Sequence, residues 1–168
     1  MRLWNGWGNE DSDLTMELSD GLRALLEALV GSGTALSQAT LNEVIAKVPN
    51  TRLDDHPLIK TDPETRVRHA RGQSLPDWLE MHSGNVDTFP DGVAFPESSE
   101  QVRELLAHAK ENNLIVIPYG GGTSVVGHIN PETSDKPVLT IDMAKMNSML
   151  SIDTESQLAT FGAGAPGP

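Results

Sequence analysis

The chain has 168 residues, no cysteine and a formal net charge of −12. This length suits one ordinary domain with a core, and the missing cysteine excludes disulfides, thiolate zinc sites and a catalytic thiol. The acidic charge repels phosphate backbones and anionic lipid, so we expect no nucleic-acid partner. No apolar run is long enough to span a bilayer, and the N-terminus lacks the apolar core of a secretory signal. We therefore expect a cytoplasmic protein without an integral membrane segment.

The first half of the chain is predicted to be helical. Ser19 can cap a helix whose leucines at 22, 25, 26 and 29 share one face and which ends at Gly31. Thr40 and Glu43 form a capping-box pattern that begins a second helix. The proline-broken stretch 51–64 predicts a connector, and further helices are expected from about residue 64 and over 74–84.

The pattern changes near residue 85. Residues 91–96 predict a short strand, and Ser98 with Gln101 predicts a capped helix that ends near Asn112. The apolar run 114–118 predicts a strand buried on both faces. Strand, helix and strand in this order predict a right-handed βαβ unit, and three more strands are expected at 137–142, 149–153 and 158–164. The sequence thus predicts an α+β (α/β) fold, with a helical region at 1–85 and a βαβ region at 86–168.

Three consecutive glycines, Gly120 to Gly122, follow the predicted strand 114–118 and precede Thr123 and Ser124. Parallel sheets bind ligands at the ends of their strands, where glycine amides can form an anion-binding nest. The alternative is a structural turn. A Walker loop is excluded because no lysine follows the glycines, and a Rossmann fingerprint is excluded because Gly127 and Pro131 prevent a helix.

The stretch "IPYGGGTSVVGH" is similar to the pyrophosphate loop of the FAD-linked oxidases of the vanillyl-alcohol oxidase and PCMH-type flavoprotein superfamily. Residues 91–125 resemble the opening of that FAD-binding domain. Within the superfamily, "WNGWG" at 4–8 and "RHARGQSLPDW" at 68–78 resemble the alkylglycerone-phosphate synthases. The resemblance implies that FAD is bound by a set of loop residues: Pro118, Tyr119, Gly120, Gly121, Gly122, Thr123 and Ser124.

The resemblance also implies how the flavin is held and used. Some members link flavin to a histidine after two glycines; Gly122 and Thr123 stand there instead, so we expect non-covalent binding. The parent enzyme is expected to exchange the acyl chain of acyl-dihydroxyacetone phosphate for an alkyl chain without net oxidation, as in ether-lipid synthesis. Alternatives are a fragment of a dehydrogenase of D-lactate or glycolate, suggested by Gly127–His128, and a non-catalytic binding module.

Family motifs for substrate binding, proton transfer, the second FAD subdomain and the cap have no counterpart in these residues. We therefore expect an N-terminal fragment without catalytic or metal-binding residues, inactive alone, whose exposed apolar surface favours self-association. Two histidines keep open interpretations. His128 is either near the cofactor or a loop residue bonded to backbone, and His69, in a basic cluster, belongs either to a surface ion-pair network or to the flavin side of the enzyme.

Overall fold

The computed structural model describes residues 2–11 and 18–167. Its helices are α1 (Asp20–Val30), α2 (Leu41–Ile45), α3 (Pro63–Val67), α4 (Leu75–Ser83) and α5 (Ser99–Glu111), with a 3₁₀ turn at Met143–Lys145. Its strands are β1 (Ile59–Lys60), β2 (Gly92–Ala94), β3 (Ile115–Tyr119), β4 (Val138–Asp142), β5 (Met149–Asp153) and β6 (Leu158–Phe161). The mixed α+β fold agrees with the sequence prediction.

The helix caps predicted at Ser19 and Thr40 are present, and Ser74 forms a further cap that was not predicted. Ser19, Thr40 and Ser74 each accept a hydrogen bond from an amide in the first turn of α1, α2 and α4 respectively. Gly84 closes α4 with φ 72°, a left-handed conformation that favours glycine. The capping box predicted at Ser98 and Gln101 is only half formed. The Ser98 hydroxyl accepts from the Gln101 amide, but the Gln101 side chain accepts from the Glu97 amide (2.7 Å) instead of the Ser98 amide.

Helices α2 to α4 and the segment that follows them enclose a first core. Its buried members are Val44, Val67, Ala70, Met81, Val86 and Phe89. Trp4 and Trp78 pack against this cluster, as expected of aromatic anchors. Helix α1, in contrast, contributes no buried residue, and its predicted apolar face is exposed.

The main sheet has the strand order β1-β2-β4-β3, in which β2 and β3 both pair in parallel with β4 and β1 pairs antiparallel with β2. The strands β2 and β3 are therefore not neighbours; β4 lies between them. The prediction that 114–118 is buried on both faces was wrong, because β3 is an edge strand with exposed residues, whereas β4 is buried throughout. Strand β1 was not predicted.

The order of the sheet positions the glycine loop. Asp142 ends the central strand β4 directly beside Tyr119, the last residue of β3. Parallel pairing brings the carboxyl ends of both strands to the same edge, so the loop after β3 lies next to the turn after β4. The strands β5 and β6 form a separate exposed hairpin, after which the chain reaches Gly162–Gly167.

The pairing of β1 with β2 joins residues on either side of the predicted boundary near residue 85, and that boundary stays a prediction. Among the described residues, no helix combines the length and hydrophobicity needed to cross a lipid bilayer.

Candidate cofactor-binding site

The loop Gly120–Ser124 presents unused backbone donors. Within the described part of the chain, no group accepts a hydrogen bond from the amides of these five residues. Most of the loop is exposed, so water or a ligand can accept from these N–H groups. Free amides of successive residues are what an anion-binding nest requires.

The three glycines have different surroundings. A Cβ atom added to Gly120 would meet nothing within 4 Å, and one added to Gly121 would meet only a methyl of Thr123 at 3.6 Å. These two positions therefore face open space. Gly122, with φ 69°, is tightly packed, since a Cβ there would collide with the phenol ring of Tyr119. Glycine is thus required at 122 for the fold and leaves room for a ligand at 120 and 121.

Gly120 and Gly121 form one wall of a cavity of about 390 Å³. The opposite walls come from the turn after β4 and the segment after β6, and the remaining lining residues are Arg2, Asp142, Ala144, Asn147, Ala163, Gly164, Ala165 and Pro166. Small side chains and glycines dominate, so a ligand can approach the backbone closely. The volume is within the range of small-molecule and cofactor sites.

Ser124 fixes the far end of the loop. Its carbonyl accepts a hydrogen bond from the amide of Gln73 (2.6 Å), and its hydroxyl lies 3.0 Å from Nδ1 of His128. The segment 68–78, which carries part of the family resemblance, therefore supports the glycine loop through the amide of Gln73. His128 thus contacts a side chain of the loop rather than backbone, and both of its interpretations stay predictions. The hydroxyl of Thr123 is exposed.

A buried polar pair lies beside the loop. Nδ1 of His69 lies 2.7 Å from the carbonyl of Thr65, and Nε2 lies 3.0 Å from Oδ2 of Asp142. Because a carbonyl can only accept, Nδ1 is the donor to Thr65, and this contact turns Nε2 toward the carboxylate. The other carboxylate oxygen of Asp142 accepts from the amide of Ala144 (2.8 Å), so both oxygens of this buried group have a partner.

Tyr119 connects this pair to the glycines. Its ring centroid is 4.6 Å from that of His69, and its ring lies against Gly122. Burial raises the pKa of the Tyr119 phenol, and the nearby charge of Arg2 acts in the opposite direction. The side chain of Tyr119 therefore supports the loop from below, while the exposed Pro118 precedes it on the outer face of β3.

The structure thus brings the seven predicted loop residues together at one end of β3. Sequence reasoning missed the other walls of the cavity: Arg2, the buried Asp142 and the small residues 163–166. The glycines and alanines after the last strand could have indicated a loop at the cavity. The sequence pattern instead predicted a strand over 158–164, whereas β6 ends at Phe161. Within the described residues, no group of three acidic or histidine side chains could hold a metal ion.

Free amides in an open glycine loop at the end of a parallel strand are a feature of nucleotide-binding domains. Residues 90–168 match the family model described as FAD binding domain, and the chain belongs to this family of FAD-linked flavoproteins. Its cofactor is FAD. Alkyldihydroxyacetonephosphate synthase from Dictyostelium discoideum is 36% identical over 66% of this chain. A solved structure of an alkyldihydroxyacetonephosphate synthase superposes with TM-score 0.72 and 25% identity over 94% of this chain.

The chain is therefore an FAD-binding domain that resembles the alkyldihydroxyacetonephosphate synthases. A more distant relative is the mitochondrial D-lactate dehydrogenase [cytochrome] 1 of Saccharomyces cerevisiae, 32% identical over 53% of this chain. The chain spans 18% of the length of the Dictyostelium relative, 15% of the yeast relative and 36% of the solved structure. The similarity to the synthases includes the N-terminal helical region as well as the glycine loop.

Proposed function

We propose that this chain is the diphosphate-binding part of a flavoenzyme that resembles alkylglycerone-phosphate synthase and exchanges an acyl for an alkyl chain on dihydroxyacetone phosphate. The observation that carries the proposal is the row of unpaired amides at Gly120–Ser124 above a 390 Å³ cavity. Two features support the synthase over the dehydrogenase: the similarity extends over 94% of the chain, and the "WNGWG" segment packs onto the first core through Trp4.

The residues present fit the diphosphate of FAD. The amides at 120–124 would donate to its oxygens, the missing side chains at Gly120 and Gly121 allow close approach, and the hydroxyl of Thr123 adds a donor. When bound, FAD supplies an electron-accepting ring system. The residues of this chain bind and orient the cofactor, and the binding is non-covalent because Thr123 replaces a linking histidine. Catalytic groups, a second FAD subdomain and a cap belong to other parts of such an enzyme.

A dehydrogenase of a 2-hydroxy acid is the second candidate, because the Gly127–His128 pair and the similarity to D-lactate dehydrogenase favour it. Under either function, the contact of His128 with the Ser124 hydroxyl would help to hold the loop. Both candidates share the same cofactor loop, so a test of FAD binding checks what they have in common. A cytoplasmic location and self-association are further parts of the proposal.

The proposed loop is tested by titrating the purified chain with FAD and following flavin fluorescence. We expect the wild-type chain to bind FAD and to stay yellow on dialysis. Gly121→Leu places a side chain in the cavity without a backbone clash, so it should weaken FAD binding by more than about tenfold, the equivalent of one lost charged hydrogen bond.

The matched control is Gly33→Leu, since a Cβ at Gly33 also meets nothing within 4 Å but lies outside the cavity. It should bind FAD like the wild type. Equal affinities of the two leucine variants, or a wild-type chain that remains colourless at saturating FAD, would contradict the proposal and favour a binding module without cofactor.

A further inference from the structure

We infer that Arg2 contacts the FAD diphosphate from across the cavity and supplies the positive charge that the glycine loop lacks. This inference rests on the proposed function and adds to it a binding residue outside the loop. Arg2 lines the same cavity as Gly120 and Gly121. It also lines the adjoining cavity of about 230 Å³ that contains Arg68, His69 and Tyr119.

The backbone of Arg2 is held in this position by specific contacts. Arg2 forms an antiparallel bridge with Asn9, and the amide of Leu3 donates to the carbonyl of Gly8 (3.0 Å), which folds the "WNGWG" segment into a tight hairpin. Nη1 of Arg68 donates to the Arg2 carbonyl at 2.9 Å. This hairpin is therefore anchored to the segment that also supports the glycine loop.

Arg68 is itself fixed by two carboxylates. Its guanidinium lies 2.9 Å from Glu64 and 3.1 Å from Glu10, so one acidic group comes from α3 and the other from the N-terminal hairpin. These two carboxylates balance the charge of Arg68. Its structural effect is to hold the Arg2 backbone, and the exposed Arg2 side chain then reaches the cavity.

The charges around the cavity favour an anion only through Arg2. The described lining contains two ionisable side chains, Arg2 and Asp142, and the rest are glycine, alanine, asparagine and proline. The two oxygens of Asp142 are occupied by Nε2 of His69 and by the Ala144 amide. An anion in the cavity of this acidic chain thus meets one cation, and arginine binds phosphate oxygens through paired N–H donors. Arg2 also acts on the ionisation of Tyr119, which agrees with its placement near the loop.

The test compares the FAD affinity of the full chain and three variants at low and high ionic strength. Arg2→Gln should weaken FAD binding by about tenfold at low salt, as expected for the loss of a charge-assisted contact. The remaining affinity should depend less on salt, because the screened ionic contribution is gone. Arg2→Lys keeps the charge and should retain most of the salt dependence, while losing the paired donor geometry.

Arg103→Gln is the control, since Arg103 is exposed on α5 and pairs with Glu100 of the same helix. It should bind FAD like the wild type at every salt concentration. The inference is overturned if the affinity of Arg2→Gln stays within about twofold of the wild type, or if its salt dependence is unchanged. A wild-type chain that binds no FAD overturns the proposed function and this inference together, whereas wild-type binding with an unaffected Arg2→Gln overturns this inference alone.

Discussion

At the scale of single residues, Tyr119 offers a direct measure of burial under the glycine loop. It is the only tyrosine of the chain, so tyrosinate absorbance reports this residue alone. Burial raises its pKa above the ordinary value of 10.0. We expect the titration midpoint to lie above 10.0 in the folded chain and to return to about 10 in concentrated guanidinium chloride.

The same shift predicts how stability changes at high pH. The unfolded tyrosine loses its proton near pH 10 while the folded one keeps it, so the contribution of Tyr119 is complete below about pH 10 and is lost as pH rises toward the folded pKa. Tyr119→Phe cannot ionise and should lose less stability than the wild type in that window. Equal alkaline stability curves for the two proteins would show that the phenol is solvated.

His69 and Asp142 form a buried polar pair whose contribution to stability can be measured. Both are less than 10% exposed, and their contact of 3.0 Å lies next to the cofactor cavity. His69→Ala leaves the Asp142 carboxylate buried without its partner and should cost about 3 kcal/mol of unfolding free energy. Asp142→Asn removes the charge together with its need for a partner and keeps an acceptor for Ala144, so we expect a smaller loss. Denaturant titrations at neutral pH measure the unfolding free energies of both variants. Equal losses would show that the Asp142 charge does not need His69 as a partner.

At the scale of elements, local signals predicted the helices well because caps are encoded within three residues. Ser19 and Thr40 each begin a helix where their hydroxyls accept from the first turn. The order of the strands is not a local property. The run 114–118 has the composition of a central strand, yet β4 occupies the centre because the chain returns between β2 and β3.

The cavity walls show the same limit. The seven loop residues were predictable because three adjacent glycines after a strand indicate a ligand-binding backbone. The family resemblance then identified the ligand as FAD. Arg2 lies more than a hundred positions away, and neither spacing nor periodicity relates it to Gly120. Strand β1 was missed because two residues within a proline-broken connector carry no alternation.

Asp91 joins the connector 51–64 to the main sheet. Its buried carboxylate receives Nε and Nη2 of Arg52 (2.8 and 2.7 Å) and the amide of Val138 at the start of β4 (2.7 Å). Burial acts to raise the pKa of Asp91, but the Arg52 and Val138 hydrogen bonds outweigh it and lower the pKa below the ordinary value of 3.8.

Asp91→Asn should therefore lower the unfolding free energy at neutral pH by about 2 kcal/mol, discounted because Arg52 is half exposed. A lowered folded pKa means that the stabilisation is present above the unfolded pKa and is lost as pH falls below about 4. Denaturant unfolding of wild type and variant should thus converge in acid. Glu100→Gln, on the exposed surface of α5, is a control that should change stability little. A difference between Asp91→Asn and wild type that persists in acid would exclude the charge as its cause.

At the scale of the whole molecule, apolar side chains remain exposed on several elements. Helix α1 exposes Leu25 and Leu29, and the β5–β6 hairpin exposes Leu150 and Leu158 among others. Such surfaces in a soluble domain favour association. The net charge of −12 opposes it, because two copies repel each other at low salt.

These opposing effects predict association that increases with ionic strength. Added salt shortens the Debye length from about 30 Å at 0.01 M to about 8 Å at 0.15 M, which removes repulsion while leaving apolar contacts intact. Sedimentation velocity over a concentration series should therefore show larger species at higher salt. Replacing Leu150 and Leu158 together by lysine should reverse the effect if the hairpin is the contact, and replacing Leu25 and Leu29 should do so if α1 is. A sedimentation coefficient that stays that of a monomer at all salt and protein concentrations would show that the exposed apolar residues do not drive contact between copies.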